Sequence, residues 1–206
     1  MSPAFKIKNQ GFTLIEMMVV VAIMIIITAV VLANFPGFRA RTSLDLVAQE
    51  VAITIRQAQE YAVGTRNTGQ FPFPSFGVYF APITSGPLTT FFIYGDQGSP
   101  IAQYPSGYKA TNNYQAALDP QFSFPGTVAI THIFYCLVGG TGESCLDISS
   151  KGNSILFARP DPDALFYSGT QKMVASYYKI QITNSLSNES RCVSVWQTGY
   201  IYAPIC

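Results

Sequence analysis

Charged side chains are scarce in this sequence. Asp, Glu, Lys and Arg make up 11% of its 206 residues, and the formal net charge is +1. The residues after position 11 carry 10 basic against 11 acidic side chains, which gives a net charge of −1. So small a charge disfavours non-specific binding to nucleic acid or to anionic lipid heads. Nucleic acid is therefore not expected among the partners.

Motifs of catalysis are also missing. The chain has one histidine, His132, in a strand-like run where a surface or hydrogen-bonded sheet residue is expected. No G-x-S-x-G, phosphate-binding loop or dinucleotide fingerprint occurs. The sequence also has no C-x-x-C pair of the kind that zinc sites commonly use. We expect no enzymatic activity, no metal and no cofactor.

One long stretch lacks charge altogether. No ionisable side chain lies between Glu16 and Arg39, and a helix of that length crosses roughly 30 Å of hydrocarbon. Lys6 and Lys8 precede this run, and Gly11 follows them. Glu16 stands at the start of the run, where a carboxylate near lipid depth costs on the order of 2–3 kcal/mol. The carboxylate therefore needs a partner or a function.

An ordinary secretory signal explains this pattern less well. Such a signal is cleaved after its apolar run, beside small residues in an A-x-A arrangement. Ala29, Ala33 and Ala40 are small residues in the right region, but they form no A-x-A. Processing before the apolar run would keep the helix on the mature chain.

The segment Gly11-Phe12-Thr13-Leu14-Ile15-Glu16 resembles the type III signal of type IV pilins and pseudopilins. The resemblance implies that a prepilin peptidase cuts between Gly11 and Phe12 and methylates Phe12, and that Glu16 acts in assembly. It implies a leader at 1–11, a transmembrane or filament-core helix at 12–38, and an amphipathic helix with a β-rich head at 39–206.

The same resemblance implies a location and partners. The chain would cross the bacterial cytoplasmic membrane once, with its N-terminus inside and its head outside, before entering a pilus or pseudopilus. Membrane lipid would surround the helix before assembly. Other pilin or pseudopilin subunits and an inner-membrane assembly platform would then be its partners.

A long helix is predicted from Phe12 to about Val63, in two halves. Pro36-Gly37 should kink or melt it, because proline removes a backbone donor and disfavours helical geometry in the residue before it. Thr42 or Ser43 would then cap the second half. That half carries one apolar stripe at helical spacing, formed by Leu44, Val47, Val51, Ile55, Ala58 and Ala62.

After Gly64, a helix-ending glycine, the pattern becomes that of short strands between turn residues. The predicted strands are Phe76–Phe80, Thr89–Tyr94, Thr127–Val138, Ser154–Phe157, Met173–Thr183, Arg191–Trp196 and Tyr200–Ala203. A surface excursion is expected from Gly95 to Pro125, with a short helix at Asn113–Leu118. The predicted fold is α+β: a long N-terminal helix whose amphipathic half packs on an antiparallel β head, as in pilins.

Four cysteines allow three disulfide pairings. Cys192 and Cys206 lie on either side of a hairpin turn at Thr198-Gly199, and Cys136 and Cys145 flank a glycine-rich loop. These positions favour Cys136 with Cys145 and Cys192 with Cys206, with four reduced thiols as the alternative. Trp196 on the hairpin is expected in the core, with a ligand platform as the alternative.

The head resembles the minor pseudopilin H of type II secretion and its relatives among minor pilins. The residues that carry this likeness are Phe76–Phe80, Ile155–Phe157, Ile180–Ile182 and Val193–Val195. The resemblance implies a minor subunit of a pilus or of a secretion pseudopilus. The alternative is a DNA-uptake or adhesive minor pilin whose head binds its ligand directly.

Overall fold

The chain folds into one helix and twelve strands within the residues that the structure describes. The computed structural model describes residues 12–64, 75–84, 86–96, 114–115, 122–124, 126–140, 142–158, 160–169 and 171–206. The predicted leader at 1–11, with Gly11, lies outside these ranges. The chain divides into two compact units, Met1–Arg39 and Ala40–Cys206.

The helix, α1, spans Leu14–Val63. It continues through positions 36 and 37, so the predicted melted segment is wrong. Melting several residues would leave more backbone groups unpaired than the one donor that a proline removes. Ser43 is inside the helix, where its Oγ donates to the Ala40 carbonyl over 2.9 Å, so no new cap is needed.

The second half of α1 buries the predicted stripe. All six of its apolar side chains are at most 3% exposed: Leu44, Val47, Val51, Ile55, Ala58 and Ala62. The helix ends as predicted at Gly64, whose backbone N–H donates to the Glu60 carbonyl over 2.7 Å. The spacing of three and four thus places one face of the helix against the head.

The larger of two antiparallel sheets has seven strands among the described residues, in the order β3-β2-β1-β7-β8-β9, with β4 also paired to β2. Its strands are β1 (Ser75–Phe80), β2 (Thr90–Asp96), β3 (Tyr114–Gln115), β4 (Phe122–Ser123), β7 (Asn153–Ala158), β8 (Ala164–Ser168) and β9 (Gln171–Met173). Its central strand β1 is buried at every position.

The second sheet has five strands within the described part of the chain, in the order β12-β11-β10-β5-β6. Its strands are β5 (Val128–Gly139), β6 (Gly142–Asp147), β10 (Tyr177–Asn184), β11 (Ser190–Trp196) and β12 (Ile201–Tyr202). The predicted C-terminal hairpin is present, since Val195 pairs with Ile201 and Ser194 with Tyr202. A register shift occurs in the β5–β10 pair at Gln181/Ile182.

One core joins the helix stripe to the inner faces of both sheets. Phe166 of β8 and Tyr178 of β10 stack across it with ring centres 4.3 Å apart. Because the two rings come from different sheets, this contact fixes the sheets face to face. The observed class is α+β with antiparallel sheets, as predicted.

Two element predictions are wrong. The predicted strand Met173–Thr183 is two strands, β9 and β10, because the chain passes from one sheet to the other between them. Tyr114 and Gln115 form β3 and not part of a helix. The rest of the predicted helix at Asn113–Leu118, and most of the excursion from Gly95 to Pro125, lie outside the described residues.

Candidate functional site

Glu16 lies in the first turn of α1 and is held there by Thr13. The Glu16 backbone N–H donates to Thr13 Oγ1 over 3.3 Å, and the Thr13 N–H lies 3.5 Å from Glu16 Oε2. This reciprocal pair is a capping box, which satisfies two backbone donors that have no partner inside the helix. The carboxylate is therefore turned back toward the start of the helix, where the helix dipole favours negative charge.

The apolar run that follows is exposed throughout. Leu14–Ala33 is long and apolar enough to cross a membrane, and it has no buried side chain. Such a surface requires lipid or protein to cover it. At its far end the Arg39 guanidinium lies 5.4 Å from the centre of the Phe35 ring, within reach of a cation–π contact.

Both disulfides that the sequence favoured are formed. Cys136 and Cys145 face each other across β5 and β6 with Cα atoms 4.1 Å apart. Cys192 and Cys206 are joined with Cα atoms 5.0 Å apart, which ties the C-terminus to β11. Cys136, Cys145 and Glu143 lie close together, but a disulfide leaves no thiolate to bind a metal.

His132 is an exposed strand residue bound to Asp147. Its Nδ1 lies 2.7 Å from Asp147 Oδ2, while Asp147 Oδ1 accepts from the backbone N–H and the hydroxyl of Ser149 over 2.8 and 2.5 Å. Burial raises the pKa of Asp147, but hydrogen bonds from Ser149 and then from His132 outweigh it and lower the pKa. Because Ser149 donates to Asp147 and not to His132, the three do not form a nucleophile–base pair.

Trp196 lies outside the core, so its predicted place there is wrong. It is half-buried on the opposite face of the five-stranded sheet, where its ring stacks on Tyr177 with centres 4.7 Å apart. The Tyr177 hydroxyl donates to Glu143. Burial, and then this hydrogen bond and the Glu143 charge, raise the pKa of Tyr177 to about 12.

Two ion pairs join α1 to the β10–β11 hairpin. Arg191 Nε lies 2.5 Å from Asp45 Oδ1, and Arg41 Nε lies 2.8 Å from Glu189 Oε1. Asn184 Nδ2 also donates to the Ala40 carbonyl over 3.2 Å. These contacts fasten the first turns of the second unit's helix to the sheet. Sequence patterns missed them because their partners lie far apart in the chain.

Comparison with known proteins adds one match. A family model described as the prokaryotic N-terminal methylation motif matches residues 6–32, a range that includes Gly11, Phe12 and Glu16. No curated protein and no solved structure matches the chain. The likeness of the head to minor pseudopilin H therefore stays a prediction. The N-terminal segment therefore carries a prokaryotic N-terminal methylation motif, which supports a relation to the type IV pilins and pseudopilins.

Proposed function

We propose that this chain is a minor, non-enzymatic subunit of a type IV pilus or secretion pseudopilus. The peptidase cuts between Gly11 and Phe12 and methylates the new amine of Phe12. The match of residues 6–32 to the methylation motif is the observation that carries the proposal. The fully exposed apolar segment Leu14–Ala33 supports it, because filament assembly would cover a surface that the chain itself leaves open.

Glu16 is the proposed assembly residue. Cleavage before Phe12 creates a cationic amine one residue ahead of Thr13, whose N–H already faces the Glu16 carboxylate. An unpaired carboxylate in apolar surroundings is costly, and a paired amine offsets part of that cost. The amine belongs to the same subunit or to its neighbour, so subunits settle where each charge has a partner.

The proposed topology puts the leader in the cytoplasm and the head outside. Two disulfides support this orientation, since disulfides persist in oxidising compartments. Lipid covers Leu14–Ala33 before assembly, and neighbouring subunits cover it afterwards. The assembly platform of the inner membrane moves the chain from one environment to the other.

A minor position in the filament is proposed from the size of the head. Ala40–Cys206 carries two sheets and a core of its own, which is more than a spacer between helices needs. The abundance of the chain in isolated filaments would test this point. A minor subunit should be rare there beside another pilin, and a chain that forms the bulk of the filament is a major one.

Two substitutions test processing and assembly separately. Glu16→Ala should insert and be cleaved but should enter filaments poorly, with Glu16→Asp as the control that keeps a carboxylate. Gly11→Glu should block cleavage, leaving the precursor on an immunoblot. Native filament levels of Glu16→Ala would contradict the pairing, and normal cleavage of Gly11→Glu would contradict the peptidase assignment.

A further inference from the structure

The solvent face of the five-stranded sheet carries rows of aligned side chains. Directly paired residues of neighbouring strands share a face. One row crosses all five strands through Asp147, Phe134, Lys179, Ser194 and Tyr202. The next row consists of Cys145, Cys136, Tyr177 and Trp196. The residues between them, such as Tyr178 and Val195, are buried in the core, so both rows face away from it.

Four rings at the β10–β12 side of this face form what we call the aromatic surface: Tyr177, Trp196, Tyr200 and Tyr202. Tyr200 and Tyr202 are 60% and 51% exposed. Their ring planes differ by 13°, and their centres lie 6.4 Å apart. The two exposed rings are therefore nearly parallel, and they lie on the same face of the sheet as the stacked pair of Trp196 and Tyr177.

Hydrogen bonds and a disulfide fix the backbone that carries the aromatic surface. The turn before β12 is closed by the Trp196 N–H, which donates to the Tyr200 carbonyl over 2.8 Å. Gly199 takes a φ of +78° in this turn, and Gln59 of α1 donates to its carbonyl over 3.2 Å. The Cys192–Cys206 disulfide fixes the strand that follows. Because these rings are already fixed in position before a ligand binds, they lose little conformational entropy on binding.

Charge on this face indicates the class of ligand. Lys179 is one positive group against the two negative groups Glu143 and Asp147, which gives a net charge of −1. A single-stranded nucleic acid needs a positively charged groove beside its stacking rings. An uncharged sugar chain needs flat rings with negative π faces for its polarised C–H groups, and a few polar neighbours for its hydroxyls. Lys179, half-buried two positions along β10 from Tyr177, supplies one such neighbour, and Glu143, which accepts from the Tyr177 hydroxyl, supplies another.

We propose that the aromatic surface binds a neutral polysaccharide, one whose sugar rings are flat enough to stack on Tyr200 and Tyr202. This proposal goes beyond the filament role, and it depends on neither cleavage nor assembly. The proposed ligand of the head is a carbohydrate, and it binds at the β12 edge of the five-stranded sheet.

Trp196 provides a direct test, because it is the single tryptophan of the sequence and part of the proposed surface. The full-length chain in nanodiscs is titrated with cellohexaose, a neutral and flat hexasaccharide, while tryptophan fluorescence is recorded. We expect a saturable change. Tyr202→Ala should weaken the affinity at least tenfold, and Tyr202→Phe should stay within a few-fold of the native chain.

Val174→Ala is the matched control, since Val174 is exposed but lies outside the strand rows, and its titration should equal that of the native chain. Tyr200→Ala replaces Tyr202→Ala if the latter fails to fold by circular dichroism. No saturable change, an unchanged affinity in both alanine variants, or tighter binding of the oligonucleotide dT6 would overturn the proposal. A fluorescence change that depends only on protein concentration would overturn it too, by indicating contact between copies.

Discussion

Glu16 and Thr13 show how one short motif can serve both folding and assembly. Thr13 gives the first turn of α1 its acceptor, and Glu16 returns a carboxylate to the Thr13 N–H. The proposed new amine arises one residue away. The cap thus keeps the carboxylate where a cation would need it, before any second subunit is present.

Thr13→Val should therefore impair assembly without impairing insertion. Valine has nearly the shape of threonine and suits lipid, but it lacks the oxygen that accepts from the Glu16 N–H. Loss of a helix cap costs about 1 kcal/mol and loosens the first turn, whose geometry brings the Thr13 N–H to the Glu16 carboxylate. We expect less processed subunit in sheared filaments by immunoblot, relative to total subunit.

Thr13→Ser is the control for this experiment, because it keeps the hydroxyl, and it should assemble like the native chain. Native filament levels of Thr13→Val beside poor assembly of Glu16→Ala would show that Glu16 acts without the cap.

Tyr177 should ionise late in an alkaline titration. Its pKa is raised to about 12, so between pH 10 and 12 the unfolded chain loses this proton before the folded chain does. The stability that Tyr177 contributes is therefore complete below pH 10 and is lost as the pH rises through 12. Tyrosinate absorbance of Tyr177→Phe should show one late-ionising group fewer than the native chain.

Glu143→Gln separates the causes of this shift. It removes the charge and weakens the hydrogen bond while leaving the burial of Tyr177, so the pKa should fall part of the way toward 10. An identical late phase in the native chain and in Tyr177→Phe would contradict the assignment.

The two residue-level sites differ in how far the sequence reveals them. Thr13 and Glu16 are spaced as T-x-x-E ahead of an apolar run, which is the pattern of a capping box, so local spacing could have identified it. Tyr177 and Glu143 are 34 positions apart. Their contact depends on the pairing of β5 with both β6 and β10, which local patterns do not specify. Trp196 was wrongly predicted in the core for the same reason, because local patterns do not specify which face of the sheet a strand residue occupies.

At the scale of elements, periodicity predicted the amphipathic half of α1 and most strands. Its failures have separate causes, and the first is that the sequence shows which residues are apolar, but not which sheet they join. Met173 to Thr183 looks like one strand although it serves two sheets. β6 was missed because its six residues are all exposed, so no alternation marks it. At Pro36 the local rule predicted a break, whereas the helical backbone continues on either side.

β12 depends on its disulfide more than any other strand of its sheet. It has two residues and two paired positions, and single hydrogen bonds such as that from Arg56 to the Ile201 carbonyl add to them. Cys192→Ser with Cys206→Ser should destabilise the head by about 3 kcal/mol in the chain-entropy model for a loop of this length, as read from urea unfolding. Amide exchange should accelerate at Ile201 more than in β10.

The double substitution of Cys136→Ser and Cys145→Ser is the matched control for removal of the Cys192–Cys206 disulfide. It removes a disulfide from the far side of the same sheet and should leave exchange in β12 unchanged. Equal exchange at Ile201 with and without the Cys192–Cys206 bond would show that strand pairing alone holds β12.

The whole molecule consists of two contrasting parts. One is an apolar helix segment that nothing in its own unit covers, and the other is a head with a closed core. The head buries a core and holds two disulfides, whereas Leu14–Ala33 is exposed throughout and needs lipid or protein to cover it. This contrast was readable in the sequence, because charge is absent from one segment and strand patterns fill the rest. The order of strands was not readable, since it depends on contacts between distant residues.

The N-terminus of the protein purified from its native membrane tests the central claim most directly. Mass spectrometry of the N-terminal peptide should show a chain that begins at an N-methylated Phe12. A chain that begins at Met1, or one cut after Ala29 or Ala33, would contradict it.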